Sequence, residues 1–104
     1  MLFHVTMTHS ADNCPAYHVE KMPGLIEALD KLDEVGRETH VKAHALLWGA
    51  PDHVAYALLE ADSLGAIARY VNSIPITQEF KITPVQNVHD VVEFGKAAMA
   101  RAKK

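Results

Sequence analysis

Two alternating segments joined by a short, turn-rich connection constrain the fold of this chain more than any other feature. Residues 39–48 and 54–61 alternate in side-chain character, and Gly49-Ala50-Pro51-Asp52-His53 lies between them. Alternation with a period of two is typical of β-strands, and a connection rich in Gly, Pro and Asp favours a tight reversal. We therefore predict an antiparallel hairpin in the middle of the chain.

The predicted pairing divides this hairpin into two faces. If Trp48 pairs with Val54, Lys42 lies opposite Glu60 and forms a cross-strand ion pair. One face is then small and apolar, suited to receive helices: Val41, Ala43, Ala45, Leu47, Ala55, Ala57, Leu59 and Ala61. The other face is mixed: His40, Lys42, His44, Leu46, Trp48, Tyr56, Leu58 and Glu60. Because an exposed apolar patch usually marks an interface, we expect a homodimer that buries Leu46, Trp48, Tyr56 and Leu58.

Other periodicities predict the remaining elements. Residues 2–9 alternate as a strand, with Phe3, Val5, Met7 and His9 on one face, and residues 10–22 form a long loop with room for one helical turn. A helix then begins at Pro23 and ends at Gly36, and a second one begins at Asp62 or Ser63 and ends at Pro75. Residues 80–88 form an edge strand because of Pro84, and Asp90 opens a terminal helix.

The resulting order is β-α-β-β-α-β followed by a C-terminal helix. This order predicts an α+β fold of the ferredoxin-like, split βαβ plan, with an antiparallel sheet. A length of 104 residues fits a single domain spanning residues 1–104.

With these elements the chain resembles the dimeric α+β barrel superfamily. The resemblance rests on a chain of this length that starts with Met-Leu-Phe in a strand and closes its sheet with Phe80-Lys81-Ile82-Thr83-Pro84-Val85. The superfamily includes muconolactone isomerase and the antibiotic-biosynthesis and haem-degrading monooxygenases. The resemblance implies a homodimer with a pocket between sheet and helices. It is a resemblance of topology, and no catalytic residue carries over.

Composition excludes several classes of protein. A net charge of −3 argues against nucleic acid as the main partner. No apolar run approaches the roughly 18 residues of a membrane helix, and the first residues lack the features of a signal peptide. The single cysteine cannot form an internal disulfide. We therefore expect a cytoplasmic protein that binds neither nucleic acid nor membrane.

The seven histidines, together with that cysteine, indicate a metal site. His9 lies at the end of the first strand, and Cys14 and His18 follow in the loop. The first two strands run parallel in this topology, which brings His53 to the same end of the sheet. Imidazole and thiolate ligands suit copper or zinc, and nickel or iron less well. We predict that His9, Cys14, His18 and His53 bind a transition metal ion, which would support redox or oxygen chemistry.

Two other functions remain open from the sequence. One is a cofactor-independent enzyme resembling monooxygenases or isomerases, with an apolar pocket and one histidine as acid or base. The other is a non-catalytic module that binds a small ligand, in which Cys14 is only a small buried side chain. A second histidine group (His4, His40 and His44, with Tyr56 and Glu60 nearby) is interpreted as interface polar groups, since strand residues four apart lie roughly 13 Å from each other.

Overall fold

The computed structural model describes residues 1–103, apart from the side chain of Ala50, and within them contains four strands and four α-helices. The elements follow in the order β1 (Leu2–Thr8), α1 (Met22–Asp30), α2 (Leu32–Thr39), β2 (Lys42–Gly49), β3 (Val54–Glu60), α3 (Leu64–Asn72), β4 (Glu79–Val85) and α4 (Val88–Ala102). The predicted α+β class is confirmed.

The four strands form one antiparallel sheet in the order β2-β3-β1-β4. The predicted hairpin is β2–β3, and Pro84 lies in β4 at the sheet edge, where its missing N–H costs no ladder hydrogen bond. Side chains of β1 and β3 on one face of the sheet form the core with α1, α2 and α3. Its members include Phe3, Val5, Met7, Ala55, Ala57, Leu59, Leu25, Leu32, Ile67, Tyr70 and Val71.

A β-bulge in β2 overturns the predicted faces of the hairpin. Lys42 pairs with Glu60 as expected, but the register shifts between Ala43 and Ala45. Trp48 therefore pairs with Ala55, and Leu46 pairs with Ala57. Because Ala55 and Ala57 are buried beneath the helices, Leu46 and Trp48 lie on the helix side of the sheet, and the prediction that they share a face with Tyr56 is wrong. One extra residue in a strand places every later side chain of that strand on the opposite face of the sheet.

Local turns and caps refine the predicted boundaries. Residues 10–22, predicted as a long loop with one helical turn, contain three successive 3₁₀ turns at Ala11–Asn13, Pro15–Tyr17 and Val19–Lys21. At α3, Ser63 is the cap, accepting a hydrogen bond from the backbone N–H of Ala66 at 3.1 Å. Helix α4 begins at Val88, two residues before Asp90, because the side chain of Asn87 caps it.

Gly36 does not end a helix as predicted. It lies inside α2, which ends at His40 in the left-handed conformation with φ of 59°. A Cβ atom at Gly36 would stand 2.8 Å from the carbonyl oxygen of Val41. The glycine therefore permits close approach of α2 to the chain entering β2.

We expect Gly36→Ala to lower the free energy of unfolding by about 1–3 kcal/mol, because the backbone carbonyl of Val41 must move. Gly95→Ala is the matched control, since Gly95 is also helical and a Cβ atom added to it would meet nothing within 4 Å. That control is expected to gain up to about 1 kcal/mol from helix propensity alone. Urea unfolding of both variants measures the difference, and equal stabilities would contradict this role of Gly36.

Helix α4 presents apolar side chains to solvent. Val88, Val91, Phe94 and Met99 are all exposed, Phe94 by 69%. Among the helices of residues 1–103, none combines the length and apolar character needed to cross a membrane. The exposed side chains of α4 form an apolar surface on the described part of the chain.

Candidate metal site

The backbone pairing of β1 and β3 brings two histidines together. One residue beyond the last pair of the ladder, Thr8 and Val54, the backbone N–H of His9 donates to the carbonyl oxygen of His53 at 3.1 Å. His53 closes the 3₁₀ turn Ala50–Asp52 with φ of 55°, in the left-handed region that non-glycine residues rarely adopt. The two imidazole rings lie edge to face, with centroids 5.3 Å apart.

Cys14 reaches the same place from the 3₁₀ turns that follow β1. Its backbone N–H donates to the carbonyl of Ala11, and its own carbonyl accepts from the N–H of Tyr17. The following residue, Pro15, is buried and has no N–H to satisfy. These turns hold Cys14 in the interior, where the residue is 6% exposed and forms no disulfide within the described residues.

His9, Cys14 and His53 together form a donor group suited to a metal ion. One ligand atom from each residue lies within 4.8 Å of the others. With metal–nitrogen bonds of about 2.0 Å and metal–sulfur bonds of about 2.3 Å, donors on one tetrahedral ion stand about 3.5 Å apart. Small rotations of these side chains would bring all three donor atoms within bonding distance of one ion. The fourth position of such an ion would remain for another ligand.

The imidazole nitrogens of this group lack partners. His9 is nine-tenths buried, and neither its Nδ1 nor its Nε2 has a hydrogen-bond partner within the described residues. The Nδ1 atom of His53 is also buried and has no hydrogen-bond partner within the described residues. Buried polar atoms without partners are rare and cost about 1–3 kcal/mol each, so they call for an explanation. A bound cation would supply the missing interaction for one nitrogen of each ring.

Two aromatic side chains flank the pair of histidines. The ring centroid of Trp48 lies 5.8 Å from that of His9, and the ring centroid of Tyr17 lies 6.2 Å from that of His53. Sequence reasoning missed Trp48 as a neighbour of the site, because unbroken alternation places it on the opposite face. Leu46 and Trp48 remain 44% and 46% exposed on the helix side, so their hydrophobicity carried no signal for the bulge that moves them there.

Burial sets the electrostatics of His9. Desolvation, with a smaller contribution from the nearby His53, holds the pKa of His9 below its ordinary value of 6.5. The neutral ring is the form that binds a metal ion, because the metal takes the lone pair that a proton would occupy. The environment therefore keeps His9 ready to coordinate at neutral pH.

This lowered pKa predicts a pH dependence for the metal-free protein. The unfolded chain takes up a proton on His9 near pH 6.5, whereas the folded chain does so only at lower pH. The unfolded state therefore binds more protons between these two pKa values, and the free energy of unfolding falls as pH drops below about 6.5. Urea unfolding at pH 7.5 and 5.5 measures this loss, which should be smaller in His9→Phe than in the wild type. An equal loss in both proteins would exclude His9 as its source.

The structure does not bring His18 into the donor group. Its Nε2 contacts the backbone carbonyl of Asp12, and its Nδ1 lies 3.5 Å from the carboxylate of Glu20. His18 thus stabilises the turns that carry Cys14. Of the four predicted ligands, His9, Cys14 and His53 lie together, whereas His18 contacts Asp12 and Glu20.

The second histidine group is spread over β1, the end of α2 and β2. His4 packs near Tyr56, with ring centroids 5.9 Å apart, and His40 ends α2. His44 lies in the bulge and donates from Nε2 to the carboxylate of Glu60 at 2.8 Å, so Glu60 has His44 as a partner where the sequence suggested Lys42. This hydrogen bond holds the pKa of Glu60 below its ordinary value.

Compared with models of protein families and with curated proteins, the sequence matches none of them. The chemistry of the site therefore rests on its own geometry.

Proposed function

We propose that this protein binds one transition metal ion per chain through His9, Cys14 and His53, with copper or zinc as the ion. The observation that carries the proposal is the convergence of three donor atoms within 4.8 Å. Two of them belong to imidazoles whose buried nitrogens have no hydrogen-bond partner among the described residues. His18 is left out of the ligand set because Asp12 and Glu20 already engage its ring.

The donor types select the ion. One thiolate and two imidazoles favour borderline or soft ions, whereas magnesium and calcium prefer oxygen ligands. A His₂Cys set suits both zinc and copper; nickel and iron fit less well. With three ligands from the protein, the ion would keep a position for an exogenous ligand, which is the arrangement of catalytic rather than structural sites.

Metal analysis of untagged protein tests this proposal. We expect close to one equivalent of copper or zinc per chain after purification, and the same stoichiometry when apoprotein is titrated with Zn²⁺ or Cu⁺. Cobalt(II) in the site should give a thiolate-to-cobalt charge-transfer band, which reports the sulfur ligand directly. Apoprotein that takes up none of these ions at micromolar concentration would disprove the proposal.

The thiolate also bears on where the protein works. A cysteine ligand has to stay reduced, which favours a reducing compartment, and Cys14 is the chain's single cysteine. We therefore propose that the protein is located in the cytoplasm.

We further propose a ferredoxin-like fold that forms a homodimer. The strand order β2-β3-β1-β4, with β1 antiparallel to both neighbours, supports the fold assignment. The face of the sheet away from the helices, here called the outer face, carries His4, Thr6, Leu47, Tyr56 and Leu58. Leu47 is 63% exposed on it, and the exposed apolar residues of α4 add to the surface that a second copy would bury.

Light scattering tests the dimer through one substitution on the outer face. The wild type is expected at twice the chain mass of 11.5 kDa, and Leu47→Glu at the monomer mass, because a buried carboxylate without a partner is costly. Leu64→Glu is the matched control, since Leu64 is similarly exposed at the start of α3. A wild type that is monomeric at micromolar concentration would exclude this interface.

A further inference from the structure

A cavity of about 250 Å³ opens directly beside the proposed metal ligands. Cys14 and His53 form part of its wall, so an ion held by these residues would lie at the edge of the cavity. The remaining wall comes from the turn after β1, from α1 and from β2: Pro15, Ala16, Tyr17, Met22, Leu25, Leu29 and Trp48. A molecule in this space would therefore lie next to two of the three proposed ligands.

In the metal-free protein, the wall of this cavity disfavours charged molecules. None of the cavity residues is Asp, Glu, Lys or Arg, so a charged group entering it would lose its hydration without gaining an ion pair from the wall. A second cavity of about 180 Å³ shares Leu29 and Trp48 with the first and is lined mainly by apolar side chains, with Gln78 as an exception. The two cavities are therefore neighbours, and the first of them, beside Cys14 and His53, is here called the slot.

The aromatic neighbours of the site favour a flat occupant. Trp48 and Tyr17 both line the cavity, one beside His9 and the other beside His53. Aromatic pairs gain about 0.5–1.5 kcal/mol beyond the area that they bury. The size is suitable as well, since an apolar cavity of about 150 Å³ is sufficient for benzene in a protein interior.

From these observations we infer that the slot binds a small uncharged aromatic molecule of one ring, such as a phenol, beside the metal ion. The inference deepens the proposed function and rests on it for the ion alone, because the cavity is formed by the protein's own side chains. Trp48 and Leu29 act as walls of the binding site, and the phenol oxygen can reach the open position of the ion.

Fluorine NMR with 4-fluorophenol as the probe tests this inference in two steps. In the first, the probe is titrated into metal-free protein, where binding with a dissociation constant of about 1 mM or tighter is expected for a ligand of this size. Leu29→Phe should weaken that binding at least tenfold by filling the slot. Ile26→Phe, in the same helix and exposed but not lining either cavity, should leave it unchanged.

The second step uses protein loaded with cobalt(II). A probe that lies beside the paramagnetic ion should show a strongly broadened and shifted fluorine signal, and the effect should be absent with zinc. Binding without this effect would overturn the placement beside the ion. If the metal-free protein does not bind the probe, the inference fails even when metal binding is intact. Failure of metal binding alone would leave the first step unaffected.

Discussion

Cys14→Ser is expected to weaken zinc binding by at least about 100-fold, because it removes the softest ligand and the only negative charge in the donor set. Serine is nearly isosteric with cysteine, so the turns around residue 14 should persist. Affinity is measured by competition with a chelator of known zinc affinity, and folding is checked by circular dichroism. With copper(II), the same variant should lose the thiolate charge-transfer absorption in the visible region.

His18→Ala is the matched control for Cys14→Ser. His18 follows Cys14 by four residues in the same run of 3₁₀ turns, but its ring nitrogens contact Asp12 and Glu20. We expect its zinc affinity to stay within a few-fold of the wild type. A loss as large as that of Cys14→Ser would show that His18 rotates to become a ligand. Unchanged affinity in Cys14→Ser and in His9→Ala would exclude the site altogether.

His9→Phe is expected to abolish metal binding while stabilising the metal-free protein by about 1 kcal/mol or more, because it removes a buried imidazole whose nitrogens have no partners in the described part of the chain. For a domain of this size, such a gain corresponds to a rise in Tm of roughly 4–8 °C. The phenylalanine ring keeps the aromatic contact with Trp48. Thermal unfolding with and without zinc measures both effects, since zinc should raise the Tm of the wild type only.

The control for this stability gain is His4→Phe. His4 lies on the outer face of β1, where its ring contacts Tyr56 and is not fully buried. Its replacement removes no buried unpartnered nitrogen, so the stability should change by less than about 0.5 kcal/mol. If metal-free His9→Phe is less stable than the wild type, then His9 contributes to packing or hydrogen bonding in the metal-free state, and the site is not strained in favour of an ion.

Periodic patterns in the sequence were sufficient to identify a strand or helix wherever that element has a buried face. Alternation identified β1 and the β2–β3 hairpin, and helical spacing identified α3, because a buried face imposes its own period on the residues that form it. The same alternation placed His9 at the buried end of β1, where the structure has it. Gly36 was misread because glycine both ends helices and permits close contacts, and only the neighbouring chain distinguishes the two uses.

By itself, the sequence determined the class of fold, the end of the sheet where cysteine and histidine ligands collect, and the types of ion that these ligands favour. The tertiary structure decided which of the predicted metal ligands lie together, because a ligand set depends on side-chain positions to within about an ångström. The pattern of hydrophobicity determines only the face of a strand or helix on which each side chain lies. The hydrogen bond from His9 to His53 selected that pair, and the contacts with Asp12 and Glu20 kept His18 out. The bulge in β2 moved Trp48 beside His9, since one extra residue reverses the facing of a strand without altering its composition.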